Sequence, residues 1–244
     1  MRIVLMFINS FFVLPYYFYK VWYHLRKAEK DRDGGYKWIH KVAGKVIKAG
    51  NVKVICQGQE NIPKEDGFIF TPNHQGLFDS LCLLSTFDRH FSVISKKELE
   101  NTPMLKWILT ILGAFYMDRE DIKQSMQVIT EASKFVGGGR NLLIFPEGTR
   151  SKEGNKLGTF KAGAFKTATR NHAPIVPVAL IDCYKPFDIQ SIKKVQVQIH
   201  YLPPICYEEY KDMTAVEIAT MVSERIQNKI DSVLAEANNV KAIA

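Results

Sequence analysis

The chain has 244 residues, 46% hydrophobic and 24% charged, a balance that fits a folded globular core and excludes a disordered protein. Its 33 Lys and Arg against 25 Asp and Glu give a formal net charge of +8, which points to an anionic partner: nucleic acid, an anionic membrane surface or a phosphorylated substrate. The four cysteines (Cys56, Cys82, Cys183, Cys206) lack Cys-x-x-Cys spacing and a nearby His, so neither a zinc site nor a disulfide framework is expected, and all four read as small buried hydrophobes.

In chain order, Ile3 to Tyr19 is almost wholly apolar and aromatic, broken only by Asn9, Ser10 and Pro15. A spanning helix needs about 20 apolar residues, so a membrane span, an interfacial anchor and a buried core helix all stay open. Aromatic density, Trp22 and the basic cluster Lys20, Arg26, Lys27, Lys30 and Arg32 favour membrane contact, although Glu29, Asp31 and Asp33 interleave with the cluster. A basic side kept cytoplasmic would put the rest of the protein on the cytoplasmic face. No small-residue cleavage site follows, so a removable signal peptide is not expected. Asp33-Gly34-Gly35 is expected to break this helix and Tyr36–Lys48 to form a second, the two making a hairpin. Residues 1–50 are thus expected to be anchoring helices, and residues 51–244 a separate domain.

From Val52 onward, short apolar runs alternate with amphipathic segments. Strands are expected at Val52–Ile55, Phe68–Thr71, Phe91–Ser95, Ala114–Met117, Asn141–Phe145, Ile175–Leu180 and Val195–Tyr201. Helices are expected at Leu77–Thr86, Pro103–Leu112 and Ile122–Val136, with a last one opened by a Thr214-x-x-Glu217 capping box. Pro177 suggests an edge or a bulge, and strict alternation from Val195 suggests a half-exposed strand nearer an edge. The pattern predicts an α/β domain with a mixed, largely parallel central sheet flanked by helices.

Chemistry concentrates at strand ends. Asn73-His74-Gln75-Gly76-Leu77-Phe78-Asp79 follows a buried strand. His and Asp five apart on one helix lie about 140° apart at 3.6 residues per turn. They meet only if His74 precedes the helix and Asp79 lies in its first turn, a bend that Gly76 permits. Asp79 would then fix one ring nitrogen and leave the other to act as general base. Phe145-Pro146-Glu147-Gly148-Thr149-Arg150 ends another strand and suits an anionic group, with a surface turn as the plain alternative. Gly113 to Arg119 ends a third with an Asp-Arg pair. No Gly-x-Ser-x-Gly appears, which disfavours a serine hydrolase.

In this order the four blocks, including Ile175-Val176-Pro177-Val178, resemble those of the glycerolipid acyltransferase family typified by 1-acylglycerol-3-phosphate (lysophosphatidic acid) acyltransferases. The resemblance runs from about Val52 to about Tyr201. It implies that His74, oriented by Asp79, deprotonates the free hydroxyl of lysophosphatidic acid, which attacks an acyl thioester of acyl carrier protein or coenzyme A. It further implies that Arg119 and Arg150 hold the acceptor phosphate, with Glu147, Gly148 and Thr149 shaping the site and Lys96 a weaker phosphate ligand. Neither a metal nor a resident cofactor is called for. Membrane lipids are the expected surroundings, and nucleic acid is not an expected partner. Glycerol-3-phosphate or another lysolipid is the alternative acceptor, and a basic membrane-binding protein without catalysis is the rival from another class.

Overall fold

The computed structural model describes residues 1–243. The chain opens with helix α1 (Arg2–Ser10), a short 3-10 turn (Phe11–Val13), α2 (Leu14–Arg26) and α3 (Arg32–Ala49). Then follow β1 (Val52–Gln57), β2 (Ile69–Pro72), α4 (Phe78–Thr86), β3 (Phe91–Lys96), α5 (Pro103–Leu112), β4 (Phe115–Met117), α6 (Ile122–Gly137) and β5 (Asn141–Leu143). The last third holds α7 (Lys166–Thr169), β6 (Ile175–Ile181), α8 (Lys185–Asp188), β7 (Val195–Tyr201), α9 (Tyr207–Tyr210) and α10 (Ala215–Ile243). All seven expected strands are present in one sheet of order β1-β7-β6-β2-β5-β3-β4. Every neighbouring pair is parallel except β6 with β7, so the expected mixed, largely parallel sheet is the one observed.

Alternate side chains of the central strands feed two cores. Leu143, Val176, Val178 and Leu180 join Tyr36, Ile39, Phe78, Leu83 and Ile111 of α3, α4 and α5 on one face. Ile69, Leu142, Ile175 and Ala179 join Ile129, Val136, Ile218, Val222 and Ile226 of α6 and α10 on the other. The Thr214–Glu217 capping box is reciprocal, with Glu217 N–H donating to Thr214 Oγ1 at 3.3 Å and Thr214 N–H to Glu217 Oε2 at 2.7 Å.

Several expectations are corrected. Pro177 sits inside β6, third from the β1 edge, with every residue of that strand buried. Its carbonyl accepts from Leu202 N–H at 3.0 Å, just past the end of β7, so the donor it lacks is missed only where the ladder stops. The helical break lies at residues 27–31, not at Gly34-Gly35, because Asp31 caps α3 by accepting from Gly34 N–H at 2.9 Å. Gly35 lies inside α3 where a Cβ would meet Ile111 Cγ2 at 2.6 Å, so the glycine serves close packing against α5. Cys82 and Cys183 are buried as expected, but Cys56 is half-buried and Cys206 exposed.

The first helices differ in what they bury. Arg2–Arg26 is long and apolar enough by composition to cross a membrane. One side packs on the domain through Met6, Ser10, Val21 and His24, while Phe7, Phe12, Tyr16, Phe18, Tyr19 and Trp22 are exposed, Phe12 at 95%. Arg2 rivets the start of this segment. Its guanidinium, in a side chain 3% exposed, donates to the carbonyls of Pro186 (3.1 Å), Gly50 (2.6 Å), Asn51 (3.5 Å) and Lys193 (2.8 Å).

Two stability predictions follow from this packing. Arg2→Met orphans buried carbonyls, each worth about 1–3 kcal/mol. It should lower the urea midpoint and open the first 30 residues to protease, and a variant as resistant as the parent would refute the rivet. His200 on β7 is the second case, with its Nδ1 buried and unpartnered among the described residues. Burial first, then Lys229, lowers its pKa from 6.5 to about 4. The unfolded chain therefore takes up this proton while the folded chain resists it, and stability should fall as pH drops from about 6.5 towards 4. His200→Leu should flatten that part of a urea-midpoint profile; an unchanged slope would assign the loss to other groups.

Candidate active site

The site forms where β2 gives out. Pro72 cannot donate to a ladder, and the side chain of Asn73 takes over the pairing. Asn73 Oδ1 accepts from Leu180 N–H at 2.7 Å and its Nδ2 donates to Leu180 O at 3.0 Å, so a side-chain amide extends the bonding towards β6. Gln75, also buried, accepts from Cys183 N–H at 2.7 Å and donates to Asn155 Oδ1 at 2.8 Å and Gly154 O at 3.2 Å. His74 between them points the other way and is only partly buried.

Asp79 lies in the first turn of α4 and is fully buried. Its Oδ2 accepts from His74 Nδ1 at 2.7 Å, Gln75 N–H at 2.6 Å and Gly76 N–H at 2.9 Å. The expected meeting of His74 and Asp79 is therefore made, with His74 before the helix. With Nδ1 as the donor to Asp79, Nε2 is the nitrogen left as an acceptor, and it makes no hydrogen bond among the described residues. The imidazole stacks on Phe145, ring centroids 4.1 Å apart and planes at 28°.

Glu147 locks the two loops together. Its Oε1 accepts from His74 N–H at 2.8 Å and its Oε2 from Gly158 N–H at 3.0 Å, and the residue is 3% exposed. Ser151 N–H in turn donates to His74 O at 2.8 Å. Burial pushes the Glu147 carboxyl above its usual range, while the N–H groups of His74 and Gly158 pull it back down. With both oxygens bonded to backbone N–H groups, Glu147 ties His74 to the Gly158 loop.

The expected phosphate ligands differ in exposure and surroundings. Lys96 is exposed and paired with Glu98 at 2.6 Å. Thr149 and Arg150 are exposed on the turn after Gly148. Arg119, by contrast, lines an apolar cavity of about 280 Å³ with Ile94, Met117, Ile129, Ile144 and Phe145. Gly148 and Lys161 line it too, so the cavity abuts His74 across the Phe145 ring. A larger cleft of about 700 Å³ lies at the opposite end of α4 by Ser85–Arg89 and shares no residue with this site. The smaller cavity is the one joined to His74, through Phe145.

Sequence reasoning passed over Asn73, Gln75, Phe145 as a stacking partner and Lys161. A faint signal existed for the first two, since polar residues at 73 and 75 continue the alternation of a strand that is otherwise buried.

The sequence profile of the Acyltransferase family matches residues 53–181, more than half of the chain. The 1-acyl-sn-glycerol-3-phosphate acyltransferase of Borreliella burgdorferi is 29% identical over 75% of this chain and 73% of its own. A chloroplastic 1-acyl-sn-glycerol-3-phosphate acyltransferase of Brassica napus, BAT2, is 35% identical, but the match spans 53% of this chain and 37% of that protein. The crystal structure of the 1-acyl-sn-glycerophosphate acyltransferase PlsC from Thermotoga maritima superposes with a TM-score of 0.78. It is 24% identical and covers 96% of this chain and 98% of that one, a likeness in fold. The profile match embraces His74, Asp79, Arg119 and Glu147, and the chain belongs to the acyltransferase family.

Proposed function

We propose that the chain moves a fatty acyl group from an acyl thioester to the free hydroxyl of 1-acylglycerol-3-phosphate, giving phosphatidic acid. The observation that carries this reading is the 2.7 Å bond from His74 Nδ1 to the buried Asp79, which leaves Nε2 as the only ring atom able to take a proton. Nε2 takes the hydroxyl proton as the acceptor oxygen attacks the thioester carbonyl. The tetrahedral adduct then collapses, the carbon–sulfur bond breaks, and the thiolate recovers the proton from the imidazolium. Asp79 keeps the ring in the productive tautomer and balances its transient charge. The donor is an acyl carrier protein or coenzyme A thioester. The exposed aromatic face of α1 and α2 lies in the membrane interface, because Met6, Ser10, Val21 and His24 hold this segment along the domain rather than away from it. The cytoplasmic leaflet is the proposed side. Support for the acceptor comes from the Borreliella burgdorferi relative, a 1-acyl-sn-glycerol-3-phosphate acyltransferase.

His74→Ala should keep its far-UV circular dichroism and lose about a hundredfold or more in kcat with lysophosphatidic acid, the usual worth of a general base. A variant retaining most of its rate would sink the base assignment, and a labelled acyl group stably attached to the protein would sink direct transfer. Glu147→Gln must turn an amide N–H2 towards one of two backbone N–H donors, which displaces His74 or the Gly158 loop. The expected result is a fall in kcat with little change in the KM of either substrate. A raised acceptor KM at unchanged kcat would return Glu147 to a substrate-binding role.

A further inference from the structure

The cavity beside His74 gathers more cations than the sequence blocks supply. Arg119 comes from one block, but Lys161, Lys166 and Arg170 come from the stretch after the Phe145–Arg150 turn. No Asp or Glu lines this cavity. None of the four cations forms an ion pair among the described residues. Like charges around an apolar floor repel one another, and a bound anion relieves that repulsion.

Lys161 is the best placed of them. Its backbone N–H donates to Pro146 O at 2.9 Å, which fixes it to the turn that carries Phe145. Gly148 has φ +68, and a Cβ there would lie 3.1 Å from Lys161 Nζ, so the glycine leaves the space that the ammonium approaches. The ammonium thus rests on the same turn whose Phe145 ring stacks on His74 at 4.1 Å. A compact ammonium with three donors suits a phosphate as a point charge, and Arg119 on the same cavity can add a fork.

We propose that Lys161 binds the phosphate of the acceptor in this cavity and so sets the free hydroxyl at His74 Nε2. The inference rests on the acyl-transfer reading above. The donor's own phosphate groups are the other source of the same chemistry, and the test separates the two. Full-length wild-type, Lys161→Met and Lys161→Arg proteins in lipid–detergent micelles are assayed with lysophosphatidic acid, with the matching monoacylglycerol that lacks the phosphate, and with varied donor. Lys161→Met should raise the KM for lysophosphatidic acid about tenfold, leave the donor KM in place, and cut the preference for lysophosphatidic acid over monoacylglycerol about tenfold. Lys161→Arg should recover most of that preference. A donor KM that rises instead, or a preference that does not change, overturns the proposal. A wild-type protein inactive on both acceptors overturns the acyl-transfer reading itself. Lys161 is then judged by titration calorimetry with glycerol 3-phosphate: about tenfold weaker binding to Lys161→Met upholds it, and equal binding removes it.

Discussion

One carboxylate oxygen organises this candidate active site. Asp79 Oδ2, with no exposure to solvent, accepts from an imidazole nitrogen and from two consecutive backbone N–H groups within 2.9 Å. Hydrogen bonds to an ionised acceptor are about twice as strong as neutral ones, and a buried carboxylate without them is strongly disfavoured. The backbone from Gln75 to Gly76 must therefore curl around Asp79 before α4 begins. That curl aims His74 outward while Asn73 and Gln75 stay tied to β6 and to the loop beyond it. Asp79 Oδ1 is buried with no donor among the described residues, so the three bonds to Oδ2 carry the whole burden of keeping the charge inside.

The imidazole is held from several directions, and each lies on a different part of the chain. Asp79 fixes its nitrogen, Glu147 and Ser151 fix its backbone N–H and C=O, and Phe145 covers one ring face. Residues 71 or more positions apart must therefore be in register before the imidazole is held in this way. The central sheet supplies that register. β2 and β5 are direct parallel neighbours, so the ends of both strands deliver His74 and Phe145 to the same edge of the sheet. This is where open parallel sheets place ligands, at the carboxyl ends of their strands.

How much of this was legible depended on whether the cause was local. Every strand and the long helices announced themselves by apolar runs and spacing, because those elements bury a face that periodicity records. The His74–Asp79 contact was also legible, since it rests on five residues and one bend. Pro177 misled because its cost depends on whether a partner carbonyl awaits the missing N–H, and β7 ends at Tyr201. Asp33-Gly34-Gly35 misled because Asp31 capped the helix two residues earlier and Gly35 answered to Ile111, a contact 76 residues away. The segment from Ile144 to Lys161 has no long regular element and no period to read. Its order comes from Glu147 and Asn155 bonding to distant backbone and side chains, with Glu147 also holding Gly158 within the segment, which no local pattern encodes.

The chain's excess positive charge gathers in two places, around α2 and in the cavity lined by Arg119, Lys161, Lys166 and Arg170. Around α2, Lys20, Arg26 and Lys27 lie over Tyr23 and Trp22, with Lys27 Nζ 4.4 Å from the Tyr23 centroid and Arg26 4.1 Å from that of Trp22. These are cation-over-ring contacts, and aromatic rings carrying flanking cations suit a bilayer interface. Arg2 belongs to neither, since its charge is spent inside the protein on the carbonyls of Gly50 and Asn51 after α3, Pro186 in α8 and Lys193 before β7. It makes α1 and the sheet a single body. In the proposed interfacial arrangement, an aromatic face fixed to the sheet in this way also fixes the height of the sheet's edge above the bilayer surface. A base that must meet a hydroxyl carried by a lipid needs that height held constant, and a flexible tether could not hold it. In the proposed arrangement the exposed aromatics, the rivet at Arg2 and the carboxylate at Asp79 are therefore parts of one positional requirement, met successively from the membrane inward to the proton.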